Sequence, residues 1–233
     1  MAPARIGLIG GMSWEATACY YRYFNQLFSG PSPWSQPRVL IDSVDMGELV
    51  AYQRSDDWAA AGRLLADAAQ RLVAGGASVV GIGANTMHRN YDDVRDAVSC
   101  PVVDIRQSVA REVLTLGGRS VGLVGTTYVV EGDFYARGLG EHGVEVVRPD
   151  EAATAELQRI IYDELTLGVV SPASRDTLLE IGASLVERGA DVVGLCCTEF
   201  GLLVDEHDAP FAVVDSTKAH VRALLGELGD PTA

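Results

Sequence analysis

The chain has 233 residues, enough for one large domain or two small ones with a buried core. Hydrophobic residues make up 48% and charged residues 21%, a globular balance that excludes a disordered chain and leaves only 229–233 as a stretch expected to lack order. The formal charge of −14, with no run of Lys or Arg, excludes nucleic acid as an expected partner, and an anionic ligand must be held by local donors.

Taken in chain order, short apolar runs predict strands at 5–10, 38–43, 78–83 and 101–104, then at 120–125, 144–147, 191–196 and 211–214. They lack period-2 alternation, as strands covered on both faces do. The first run is too short in its apolar part for a leader, and no run is long enough to span a bilayer, so no membrane partner is expected. Helices fill the gaps, among them 58–72, 152–167 and 174–188, with Asp56 and Asp57 near the start of the first. Strands alternating with helices imply an α/β fold with mainly parallel sheets, whose ligands sit at the carboxyl ends of the strands.

The chain also repeats itself. Arg5-Ile6-Gly7-Leu8-Ile9-Gly10 is similar to the RSVGLVG run from Arg119, and an offset of 115 relates Gly7 to Gly122 and Gly10 to Gly125. Gly76-Ala77-Ser78-Val79-Val80-Gly81-Ile82 matches Gly189-Ala190-Asp191-Val192-Val193-Gly194-Leu195 at an offset of 113, and Val102-Val103-Asp104 matches Val213-Val214-Asp215. Three matches in one order indicate duplication. The expected architecture is two pseudo-symmetric α/β domains, 1–104 plus 215–233 and 105–214, with equivalent strand ends facing each other across a cleft.

At those strand ends the repeat aligns Ala84 with Cys197, Asn85 with Thr198 and Thr86 with Glu199. Each segment follows a buried strand and opens an expected helix. Amide groups at a helix start bind anions and lower a thiol's pKa, so Cys197 is expected to form a thiolate, a base and a nucleophile. Asn85, Thr86 and Thr198 are short polar donors suited to a carboxylate. Cys196 is expected to point into the core as a small hydrophobe. The loop Gly10-Gly11-Met12-Ser13 ends the first strand without forming a dinucleotide fingerprint, and Gly125-Thr126-Thr127 is its counterpart. Ser13 and Thr126 suit either helix capping or ligand contact.

Cys19, Cys100, Cys196 and Cys197 fit neither a zinc site nor a disulfide framework, which points to a reducing cytoplasm. His142 and His207 sit in polar stretches. His88 and His220 are placed to approach the cleft, but no His or Cys spacing supports a metal. Arg54, next to Gln53, offers a partner for a substrate carboxylate or a surface ion pair.

The runs IGLIGGMSWEATACYY, ANTMH, GTTYVVEGDFY, IIYDELTLG and CTEFGLLV, with Asp215 and His220, resemble the aspartate/glutamate racemase family of cofactor-independent amino-acid racemases, in order over nearly the whole chain. The resemblance implies two pseudo-symmetric α/β domains with the site between them, a homodimer, a last helix returning to the first domain, and neither PLP nor metal. It implies an amino-acid or other carboxylate substrate with one acid/base on each side of Cα. The second catalytic cysteine maps to Cys197. The first position, Cys or Thr in the family, is Ala84 here. Substrate-binding positions map to Met12, Ser13, Gln53, Asn85, Thr86, Thr126, Thr198 and Glu199. A methyl group carries no proton, and losing a general acid or base costs about 10²–10⁴-fold. Three functions follow: a weak or one-sided racemase or epimerase, a one-thiol decarboxylase of the arylmalonate type, and a carboxylate-binding relative without catalysis.

Overall fold

A computed structural model describes residues 4–205 and 207–229; of the tail expected to lack order, 230–233 lie outside the described residues. The described chain forms two parallel four-stranded sheets flanked by helices. The first sheet holds β1 (Ile6–Gly10), β2 (Val39–Ser43), β3 (Val79–Ile82) and β4 (Val102–Val103), in the order β2-β1-β3-β4. The second holds β5 (Ser120–Gly125), β6 (Glu145–Val147), β7 (Val192–Cys196) and β8 (Val213–Asp215), in the order β6-β5-β7-β8. Helices α1 (Trp14–Leu27), α2 (Met46–Arg54), α3 (Trp58–Ala74) and α4 (Tyr91–Ala97) accompany the first sheet. Helices α5 (Ile105–Thr115), α6 (Thr127–Glu131), α7 (Asp133–Gly140), α8 (Glu151–Arg159) and α9 (Pro172–Glu187) accompany the second, and α10 (Ser216–Gly226) closes the chain. The chain divides into two compact units. One runs to Asp104 and resumes at His220, within α10; the other is Ile105–Ala219.

The internal repeat is visible in the register. Gly7 pairs with Val80 in the first sheet and Gly122 with Val193 in the second. Offsets of 115 for one strand and 113 for the other therefore describe one conserved alignment. The repeated glycine has a packing cause. A Cβ on Gly7 would stand 2.9 Å from Cβ of Ala77 and 3.1 Å from Cβ of Leu72. A Cβ on Gly122 would stand 2.8 Å from Cβ of Leu185 and 3.3 Å from Cβ of Ala190. Leu72 and Leu185 end α3 and α9, so in each unit one helix closes onto the central strand where that strand carries no side chain.

Each sheet is covered on both faces, which is why its strands read as unbroken apolar runs. In the first unit Ile9, Val80 and Ile82 pack with Leu65, Ala68 and Leu72 on one side. On the other, Ile6, Leu8 and Val79 pack with Tyr20, Phe24, Val221 and Leu224, the last two supplied by α10. In the second unit Leu123 and Val121 join Val109 and Tyr135, while Val124 and Leu195 join Leu157, Leu178 and Phe200. No helix among the described residues is long and apolar enough to cross a membrane.

The helix expected over 152–167 is not continuous. Regular α-helix ends at Arg159, a π-helical turn runs Ile160–Glu164, and a 3₁₀ turn covers Leu165–Leu167. Arg159 Nη1 bonds Glu164 Oε1 at 2.7 Å and Ser174 Oγ donates to Glu164 Oε2 at 2.5 Å, which pins the widened turn. The turn brings Ile160, Ile161 and Leu165 together into the cluster that contains Phe200 and Cys197. Hydrophobic spacing alone does not register that insertion.

Gly7→Ala and Gly122→Ala should each destabilise the protein by about 1–3 kcal/mol through overpacking. Gly140→Ala, at a helical glycine with nothing within 4 Å of the added carbon, should be neutral or slightly stabilising. Urea unfolding midpoints of the three variants check both statements.

Candidate active site

In the second unit the strand ends converge through register. Gly125 of β5 pairs with Cys196 of β7, so Thr126 and Cys197 leave neighbouring strands side by side. Successive residues of a strand face opposite ways. Cys196 enters the cluster with Tyr135 and Val214, and Cys197 enters the one with Phe200 and Leu203, so Cys196 lies in the core as expected. Thr126 is the N-cap of α6, its hydroxyl accepting from the Val129 amide. Gln158 Oε1 accepts from the Thr127 amide at 3.0 Å and ties this loop to α8.

Cys197 has the Glu199 carboxylate as its immediate partner. Its thiol donates to Glu199 Oε2 at 3.0 Å, and the Thr198 hydroxyl donates to the same oxygen at 2.6 Å. Cys197, Thr198 and Glu199 are 8%, 5% and 3% exposed. Burial pushes the Cys197 thiol well above its ordinary range, the Glu199 charge and hydrogen bond push it further, and the Glu199 backbone amide opposes them weakly. The thiolate expectation is thereby corrected. The segment Thr198–Leu202 is a 3₁₀ turn, whose short dipole does not outweigh burial beside a carboxylate. Glu199, expected among the substrate contacts, commits one oxygen to the thiol and the Thr198 hydroxyl.

The first unit builds the matching end differently. The Gly11 amide donates to Thr17 Oγ1 at 2.8 Å, and Ser13 caps α1 by accepting from the Ala16 amide. Gly11 sits at φ +86, where a Cβ would strike the Val44 backbone; this glycine serves a backbone approach. Met12 and Ala84 are buried together with Val44, Leu49 and Met87. Gln53 Nε2 approaches Met87 Sδ at 3.3 Å, so Gln53 borders the same turn. Asn85 is buried and Thr86 half-buried, and they open a 3₁₀ turn, Thr86–Asn90, where a regular helix was expected. Met12, Gln53, Ala84 and Met87 thus gather in the first unit, and Thr126, Cys197, Thr198 and Glu199 at the strand ends of the second.

Other expectations fare differently. Arg54 is exposed in the last turn of α2, His207 is exposed and His142 half-buried. His88 and His220 do not open outward; both are buried in the first unit. Among the described residues no group of three or more His, Cys, Asp or Glu is arranged to hold a metal ion. Tyr20 and Tyr135 passed unremarked in the sequence because aromatic residues at helical spacing read as core. Tyr135 hydrogen-bonds Cys196, and Tyr20 hydrogen-bonds His220 at 2.8 Å. Asp215 accepts from the Thr217 and Lys218 amides and so caps α10.

Two parallel α/β units with the same strand order, the second with a buried thiol–carboxylate pair at a strand end, define a duplicated α/β class. Residues 9–224 match the family model described as Asp/Glu/Hydantoin racemase. The chain belongs to that family. It is 37% identical to a candidate Asp/Glu racemase from Yersinia pestis of known crystal structure, with a TM-score of 0.86 over 97% of this chain and 100% of that one. It is 21% identical over 227 residues to the broad specificity amino-acid racemase RacX of Bacillus subtilis, covering 94% of this chain and 96% of the relative. The fold is also shared with arylmalonate decarboxylase, at 18% identity and a TM-score of 0.53, over 97% of this chain and 92% of that one.

Buried thiols couple stability to pH. An unfolded chain ionises them near the ordinary value of 9.0, whereas burial pushes Cys196 up to about 12. A raised folded pKa means stability fully present below pH 9 and lost as pH rises from 9 to 12. Unfolding free energy measured in urea should fall across that interval, and Cys196→Ala should flatten the fall. Equal slopes for variant and parent would contradict the assignment.

Proposed function

We propose that this protein moves the proton on Cα of an amino acid such as aspartate or glutamate, without PLP or metal, using Cys197 as its one thiol acid/base. The carrying observation is the buried hydrogen bond from the Cys197 thiol to Glu199 at 3.0 Å. Family membership and the likeness to a broad specificity amino-acid racemase support the reaction class. The four free cysteines suit a reducing cytoplasm, where we place the protein.

A resting thiol beside a carboxylate dictates how the proton moves. Cys197 thiolate and Glu199 carboxylate together would repel at low dielectric. As Cα–H breaks and its proton reaches Cys197 Sγ, the original thiol proton passes to Glu199 Oε2. The electron pair left on Cα is held by delocalisation into the substrate carboxylate. Reversal of the same shift re-forms Cα–H and returns Glu199 to its anion. Thr198 keeps the receiving oxygen aimed at sulfur. Asn85, Thr86, Thr126 and the Met12–Ser13 loop are assigned to substrate binding.

At the position that the repeat pairs with Cys197 stands Ala84, a methyl group that neither gives nor takes a proton. Exchange is therefore one-sided: one enantiomer exchanges its α-proton and re-forms with the same configuration. A second reading rests on the same methyl. A site with a single thiol, whose repeat-matched position is apolar, suits decarboxylation of a disubstituted malonate, in which the thiol protonates the enediolate after carbon dioxide leaves.

Each enantiomer of Asp and Glu, incubated in deuterated water and followed by NMR, separates these readings. The expected result is loss of the α-proton signal of one enantiomer with retained configuration. Cys197→Ser and Glu199→Gln should slow it by about 10²-fold or more. Full exchange in Cys197→Ser would sink the thiol assignment. Carbon dioxide release from a phenyl-substituted malonate, without amino-acid exchange, would establish the second reading. Ala84→Cys should add inversion to exchange.

A further inference from the structure

The π-helical turn of the second unit is held by a carboxylate that the proton transfer does not use. Glu164 Oε1 accepts from Arg159 Nη1 at 2.7 Å, and its Oε2 accepts from the buried Ser174 hydroxyl at 2.5 Å. Its backbone carbonyl accepts from the Val169 amide at 3.0 Å. One residue thus ties the end of α8, the loop beyond the turn and the first turn of α9. The Glu164 side chain is 16% exposed, and the bonds from Ser174 and Arg159 hold its carboxyl below the usual carboxylate range.

These bonds select the turn. At about 100° per residue, a regular helix sets residues five apart about 140° from each other, so Arg159 and Glu164 would not meet. A π-turn, closed by hydrogen bonds between residues five apart, brings them onto one side. The Leu165 amide donates to the Ile160 and Ile161 carbonyls, so the extra residue is taken up there. In a regular helix Glu164 would lie about 40° round from Ile160, between Ile160 and Ile161, in the apolar stripe that enters the Cys197 cluster. The widened turn sets the carboxylate aside, and Leu165, next in sequence, is fully buried in that cluster.

Among the described residues this is the one π-helical turn, and it lies in the unit that carries the Cys197–Glu199 pair. Just before it, Gln158 accepts from the Thr127 amide. The same segment is therefore tied to the strand end after β5 and packed into the cluster of the strand end after β7.

We infer that Glu164 is a positioning residue: clamped by Arg159 and Ser174, it holds open the turn whose Ile160 and Ile161, with Leu165, wall the Cys197–Glu199 pair from water. This rests on the reading of that pair as the proton-transfer site. Water at the pair would solvate the thiolate and offer the thiol proton another acceptor, so the transfer between sulfur and Glu199 Oε2 would lose its direction.

The test uses the full chain with carbon-13 at cysteine Cβ, and α-proton exchange of L-aspartate and D-aspartate in deuterated water. Glu164→Ala and Ser174→Ala should each move the Cys197 titration to lower pH, towards the ordinary value of 9.0, because admitted water lowers the cost of the thiolate. Ser174→Ala leaves every charge in place, so a shift there reports the turn and not a lost field; it also carries the test if Glu164→Ala does not fold. In Glu164→Ala, kcat for exchange should fall about tenfold or more with KM within about threefold, the pattern of a misaligned reacting group and not of lost binding. Glu164→Gln, which still accepts from one donor, should fall between Glu164→Ala and the parent. Asp150→Ala removes the N-cap of α8 and lowers stability without touching the turn, so it should leave the Cys197 titration where it is. An unmoved Cys197 titration in the clamp variants, an equal shift in Asp150→Ala, or undiminished exchange in Glu164→Ala would overturn the inference and leave the reaction standing. A shift confined to the clamp variants, in a protein that exchanges no α-proton, would support the inference and remove the proposed reaction.

Discussion

A thiol and a carboxylate 3.0 Å apart and withdrawn from water cannot both carry charge at low cost, and Cys197 and Glu199 are such a pair. The Cys197 thiol donates to Glu199 Oε2, and burial together with the neighbouring Glu199 holds the thiol pKa well above its ordinary range. Much of the second unit serves to hold this arrangement. The register of β5 against β7 sets Cys197 beside Thr126, the Thr198 hydroxyl donates to the same Glu199 oxygen as the thiol, and the π-helical turn packs Ile160 and Ile161 into the same cluster. A strand that ends on a free thiolate would have required a more exposed or more cationic surrounding.

The duplicated fold gives Cys197 a repeat-matched position, Ala84, in the first unit. Both units use a helix closing on a glycine of the central strand, and both carry the same strand order. The shared framework makes the difference at Ala84 and Cys197 interpretable. One strand end carries a buried thiol hydrogen-bonded to a carboxylate; the other carries a methyl packed among Met12, Val44 and Met87, with His88 Nδ1 against the Ala84 carbonyl. In the proposed division of work the first unit binds and orients, and the second moves the proton.

The eight strands were legible because each contains a short apolar run between helical stretches, and the repeat was legible because its glycines answer a packing need at fixed positions. Cys197 and Ala84 could be matched for the same reason. The protonation state of Cys197 was not legible: a helix start was expected to favour the thiolate, but the turn is 3₁₀ and the residue two places on is a buried carboxylate. The π-helical turn was hidden because Ile160, Ile161 and Leu165 fit a helical spacing well enough. The burial of His220 was not legible because partners 200 and 117 residues away in sequence, Tyr20 and Val103, decide where its ring goes.

The account stands most directly on the charge state of Cys197 and the residue that sets it. Selective carbon-13 labelling of cysteine Cβ reports thiol or thiolate for each site as pH is raised. The Cys197 resonance should keep its thiol position from about pH 6 to beyond 9, the ordinary thiol value, and Glu199→Gln should bring its titration to lower pH. A thiolate position for Cys197 at neutral pH, or a titration unchanged by Glu199→Gln, would contradict the shared-proton pair.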